Sequence, residues 1–167
     1  YGWAAADAAV TVFNTGAISG YEFYQEQVTE LRDLLTTRPD LSTFATSDTS
    51  SQGTLPFLPV FPAAQAIRAR MSYIETPVLS GIAYVTAYRQ DVAPFLANEF
   101  FYTIQALTAD GQFYISALQQ VDLSNFPAEY PTDFNYEEFS ANFETYILES
   151  IASIDAADLT IFSSSPG

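Results

Sequence analysis

The chain has no cysteine, no histidine and no lysine, so its five basic side chains are all arginines: Arg32, Arg38, Arg68, Arg70 and Arg89. Each absence removes a class of chemistry. Without cysteine there is no disulfide, no thiolate zinc site, no iron–sulfur cluster and no thioether-linked haem. Without histidine there is no Ser-His-Asp or Cys-His nucleophile pair. Without lysine there is no Schiff base and no phosphate-binding P-loop lysine. Carboxylate, tyrosine and arginine chemistry remains. Long apolar runs are missing as well, so no stretch reads as membrane-spanning. Positive charge is scarce against 20 acids, and the formal net charge is −15. Such a chain repels nucleic acid and anionic membrane surfaces, which need clustered cations. Tyr1 to Asp7 carry no positive stretch and do not read as a signal peptide.

What is present points to a folded domain. Of 167 residues, 49% are apolar and 16% aromatic, which excludes disorder and fits one domain over 1–167. Residues 8–13 read as a short strand, and Ser19 with Glu22 as a capping box opening a helix. Tyr21, Tyr24, Val28, Leu31 and Leu35 form its apolar stripe, and Arg38-Pro39 ends it. The polar run 42–54 reads as a flexible loop. Leu55-Pro-Phe-Leu-Pro-Val-Phe-Pro62 is too rich in proline for a helix or a central strand and is expected to cross the core extended. Residues 66–121 alternate with period two in four stretches, an antiparallel meander whose last turn is Ala109-Asp-Gly111. Asn135 and Glu138 repeat the capping pattern. Phe139, Phe143, Ile147, Ile151 and Ile154 then predict a longer C-terminal helix, and the tail from about 160 is expected to fray. The fold class is therefore α+β: a four- to five-stranded antiparallel sheet with both single-striped helices on one face.

Three blocks carry a resemblance. They are Leu55 to Gln65, Gly81-Ile-Ala-Tyr-Val-Thr86 with Gln90-Asp91, and Phe101-Tyr-Thr-Ile-Gln-Ala-Leu-Thr-Ala-Asp-Gly-Gln-Phe-Tyr-Ile-Ser-Ala117. Over about 8–155 the chain resembles an uncharacterised bacterial family of secreted or lipid-anchored proteins. Ala83 stands where that pattern has arginine, and Ala106 where it has glycine. The resemblance implies a location outside the cytoplasm and attaches no activity. The element order is also similar to the PsbP-like sandwich of photosynthetic lumen proteins, at the level of fold alone.

Each candidate site also has a plainer structural role. The acidic pairs Asp155/Asp158, Glu137/Glu138 and Asp91/Glu99 fit solvated or capping acids better than a calcium loop, which needs five or six converging oxygens. Tyr84, Tyr88, Tyr102, Phe113 and Tyr114 fit sheet packing better than an exposed platform for sugars, pigments or a partner, although Phe100-Phe101 puts aromatic rings on both faces of one strand and favours a sheet covered on both sides or an interface. Arg68 and Arg70, two apart on one strand, stand out in a lysine-free chain. With both helices on one face, the other is expected to expose Arg68, Arg70, Gln105 and Tyr114 as a partner or ligand contact. No cofactor, metal or catalytic residue is expected. The expected function is a non-enzymatic extracytoplasmic binding, accessory or assembly subunit with a protein partner or a second copy. A carboxylate-based hydrolase or calcium-dependent enzyme is the alternative.

Overall fold

A computed structural model describes residues 8–158 and 162–164. In chain order the elements are β1 (Ala8–Asn14), α1 (Glu22–Thr37), a 3-10 turn at Leu41–Phe44, β2 (Ala64–Glu75), β3 (Leu79–Arg89), β4 (Phe100–Thr108), β5 (Phe113–Leu123), α2 (Tyr136–Ala141), α3 (Phe143–Ala156) and β6 (Phe162–Ser164). The strands form one antiparallel sheet in the order β1-β5-β4-β3-β2, with β6 beside β1 along the outer edge of β5. The α+β class and the meander are as the sequence predicts, and Gly111 supplies the positive φ of 70° that the last hairpin needs. Of the expected frayed tail, Phe162–Ser164 instead pair with β5. Residues 1–7, 159–161 and 165–167 lie outside the described residues.

The two helices cover opposite faces, which corrects the expectation of one shared face. Val28, Leu31 and Leu34 of α1 pack with Ile82, Tyr84, Leu107 and Tyr114. Ile147, Ile151 and Ile154 of α3 pack with Ile67, Ala69, Val85, Ala87 and Phe100. The reason lies in β3, where Ile82 and Tyr84 alternate with Val85 and Ala87. A strand apolar on both faces needs a layer on each. The C-terminal helix is also broken where one was expected to continue. Asn142 closes α2, its Nδ2 donating to Glu138 O at 2.9 Å, and α3 starts afresh at 14 residues against 16 for α1. Asn135 caps α2 as expected, accepting from the Glu138 N–H. Ser19 does not cap α1, because its hydroxyl donates to Gly16 O inside the preceding turn.

The proline-rich segment runs extended over the α1-side face, where its backbone cannot join the ladder. Side chains replace the missing strand. Gln65 Oε1 accepts from the Leu55 N–H at 2.7 Å and its Nε2 donates to Leu55 O at 3.1 Å. Gln27 Oε1 accepts from Phe57 N–H, and the Tyr84 hydroxyl donates to Pro56 O. Gln105 Oε1 accepts from Leu58 N–H at 3.0 Å, while Ser116 Oγ donates to Leu58 O at 2.6 Å. Buried backbone groups need such partners. On the sheet itself Gly81 sits opposite Ala106, and a Cβ there would lie 2.3 Å from Gln105 O. Only glycine lets β3 and β4 approach this closely.

Candidate functional site

None of the four expected contact residues lies on an open face. A bulge in β2 separates the two arginines. Its register against β3 shifts between Ala69 and Ser72, and Arg70 takes a left-handed φ of 49°. The side-chain alternation therefore slips, and Arg68 and Arg70 point to opposite sides. Arg68 is fully buried beneath the 42–54 loop and donates to Phe44 O (3.1 Å), Thr46 O (2.6 Å), Asp48 O (2.8 Å) and Gln65 O. Burial lowers its pKa below the ordinary arginine value. The loop expected to be flexible is thus tied to the core through its carbonyls. Arg70 is tied to α3: its Nε donates to Ile154 O at 2.9 Å, its guanidinium reaches Ala157 O, and its N–H donates to Asp155 at 2.6 Å. Gln105 and Tyr114 are buried too, and the Tyr114 hydroxyl donates to Gln105 Oε1 at 2.6 Å. Three of the expected contact residues, Arg68, Gln105 and Tyr114, thus lie in the floor of the α1-side core, and the fourth, Arg70, lies on the α3 side.

The remaining arginines are also engaged. Arg89 pairs with Glu99 at 2.9 Å and Asp91 at 3.5 Å, Arg38 with Glu75, and Arg32 donates to Gly111 O. Glu137 and Glu138 occupy the first turn of α2. Among the described residues no three acids converge as metal ligands would. An open groove of about 560 Å³ beside α2 and α3 is floored by Phe134, Phe139 and Tyr146 and rimmed by the exposed acids Asp133, Glu138 and Glu149. Glu30 on α1 is half-buried, and burial, then Glu26 and Asp33, push its pKa up to about 7. Among the described residues, the acids that line the hollows beside Glu30 are Glu22, Glu26 and Asp33, all on α1 itself. Burial raises the Tyr84 and Tyr114 hydroxyls well above the ordinary phenol value, which suits neutral hydrogen-bonding groups.

Of the aromatic row named from the sequence, Tyr84 and Tyr114 are buried, while Tyr102 and Phe113 belong to a surface that stands out. α3 covers the β2–β3 side of its face. Registers place Tyr102 and Ile104 of β4, Phe113, Ile115 and Ala117 of β5, and Val10 and Val12 of β1 together on the rest of that face. Val10 is 70% exposed, Val12 58%, and Tyr102 and Phe113 just over a third. No acid or arginine stands in this set, and among the described residues no element covers it. The signal in the sequence was the pair Val10 and Val12 in a strand whose other face is also apolar, at Phe13. Among the described residues no helix is long and apolar enough to cross a membrane. No family model, curated protein or solved structure matches the chain.

Proposed function

We propose that the chain is a non-enzymatic binding or assembly subunit acting outside the cytoplasm through protein–protein contacts at the open half of its sheet. One observation carries this reading: among the described residues, an uncharged row of valine, isoleucine and aromatic side chains is left uncovered in a chain of net charge −15. Contiguous apolar surface of this kind marks interaction sites in soluble proteins. Placement outside the cytoplasm rests on the resemblance noted above, together with the Ser/Thr-rich 42–54 loop and the absence of lysine. An export or lipid-attachment signal in the precursor gene is expected.

The test takes the native material, gently extracted, and compares it with chains carrying Tyr102→Glu and Phe113→Glu. The wild type is expected to run in a particle larger than one chain, and the variants as free chain with an unchanged far-UV spectrum. Wild type running as free chain throughout, or variants that stay in the particle, would defeat the reading. The hydrolase alternative draws on Glu30 alone. Under it, Glu30→Gln removes an activity. Under the assembly reading, that variant enters the particle as wild type does.

A further inference from the structure

β1 ends the sheet on its side, and among the described residues no strand pairs with its outer edge. One hydrogen bond fixes where its backbone groups point. The Thr15 N–H donates to Gln112 O at 2.9 Å, continuing the register that sets Asn14 opposite Phe113. Bonded and unbonded pairs alternate along an antiparallel ladder. Phe13, Thr11 and Ala9 therefore turn N–H and C=O toward β5, while Val12, Val10 and Ala8 turn theirs outward. This edge has no guard. Ala8–Asn14 carries no charge, no proline and no bulge, and its register against Gln119–Phe113 is unbroken. The opposite edge, β2, has two register shifts, the left-handed Arg70, a tie to the end of α3 and the charged Glu75. Edge strands are usually blunted by such devices to prevent unwanted pairing. Here one edge has them and the other does not.

We propose that β1 pairs antiparallel with β1 of a second copy, about a two-fold axis through Thr11. This deepens the assembly reading above and rests on it. Val10 of each copy then faces Val12 of the other, and each pair exchanges both of its N–H···O bonds. Thr11 meets Thr11 on one face, and on the other the valines of both copies cluster beside Ile115 and Ala117, favourable β-branched cross-strand pairs. A two-fold axis makes the strip its own complement and closes the assembly at two chains. Charge also selects this occupant. The strip carries no carboxylate for a cationic partner to grip, yet two chains of −15 can meet there without placing like charges in contact. Seven residues at about 3.4 Å each give a contact roughly 24 Å long, near the low end of specific interfaces at about 1,000 Å². The dimer is therefore weak, concentration-dependent and favoured by salt, which screens the repulsion between chains.

Sedimentation equilibrium of the whole chain from micromolar to millimolar, at low and high NaCl, tests this, with amide exchange at Val10 and Val12 read at both ends of the range. Mass should rise from one chain to two, with dissociation weakened at least about threefold by high salt. The two amides should slow by about tenfold or more only where the dimer is populated. Val10→Pro removes an outward N–H and no β1–β5 bond, so it should fold and stay monomeric. Val12→Glu keeps the backbone donor, adds like charge to both chains at the seam, and should also stay monomeric. A wild type monomeric throughout overturns the proposal. So do amides already slow in the dilute chain, since the chain's own segment then covers the edge, and so does a Val10→Pro chain that dimerises like wild type. If the purified chain stays monomeric while Tyr102→Glu still leaves the native particle, the pairing fails and the assembly reading stands.

Discussion

Arg68 is a buried cation whose charge is met by carbonyl oxygens and not by a carboxylate in contact. Removing it would strand the carbonyls of Phe44, Thr46, Asp48 and Gln65 together. Hydrogen bonds to a charged group contribute about 1.5–3 kcal/mol each, net of exchange with water, and such contributions do not add in full. Arg68→Met should therefore cost about 3 kcal/mol in urea unfolding and speed amide exchange through 42–54. A loss under about 0.5 kcal/mol, the ordinary range of a surface change, would mean that the loop holds itself. The sequence showed Arg68 as unusual but not as buried, because nothing in its neighbours distinguishes a guanidinium facing water from one capped by a loop 20 residues upstream. Glu30 gives a pH signature. Its folded pKa of about 7 lies above the unfolded value near 4.5, so its contribution is full below pH 4.5 and is lost as pH rises through 7. Glu30→Gln should match wild type at pH 4 and exceed it at pH 8 by about 1 kcal/mol, a value discounted because the group is half exposed. Urea midpoints at the two pH values measure this.

Between elements, the informative contact is the one in which glutamine side chains stand in for a strand. The extended course of Leu55–Pro62 was legible, because proline leaves few alternatives. The partners were not, because a glutamine in a strand reads as solvent-facing whichever way it points. Gln105→Met keeps the volume of the side chain but leaves Leu58 N–H, the Tyr114 hydroxyl, Thr103 and Ser116 to find other partners. Leaving buried polar groups unpaired costs about 1–3 kcal/mol each. A total loss of about 3 kcal/mol is expected, with the Leu58 amide exchanging faster while β1–β5 pairing persists. Unchanged Leu58 exchange would show that the segment is held by its apolar side chains alone. The β2 bulge was equally hidden, since no glycine or proline marks it and the left-handed residue is an arginine. The two-sided sheet was partly visible in Phe100-Phe101, yet counting one stripe per helix does not say which face each stripe seeks.

Across the whole molecule the acids outweigh the arginines 20 to 5, and the described ion pairs engage only Glu75, Asp91 and Glu99. Self-repulsion therefore opposes the folded state, and salt should relieve it. Raising NaCl from about 0.02 to 0.5 M should stabilise the chain by roughly 1–2 kcal/mol, or about 3–6 °C in Tm. A fall in Tm would mean that attractive pairs dominate. Composition made this balance legible at once, along with the α+β class. The position of the uncovered surface was not legible, because it depends on where α3 stops along the sheet, and period-two alternation gives each strand two faces without saying which one a helix takes.

The engagement of every arginine has a further consequence. Trypsin-like proteases cut only after lysine or arginine and must draw that side chain into a deep pocket from an extended, accessible backbone. This chain offers no lysine. Arg68 and Arg89 are buried, Arg70 is fastened to the end of α3, Arg32 lies within α1, and the half-exposed Arg38 precedes Pro39, where such enzymes cut poorly. The folded chain is thus closed to a whole class of digestive enzymes at each of its recognition positions.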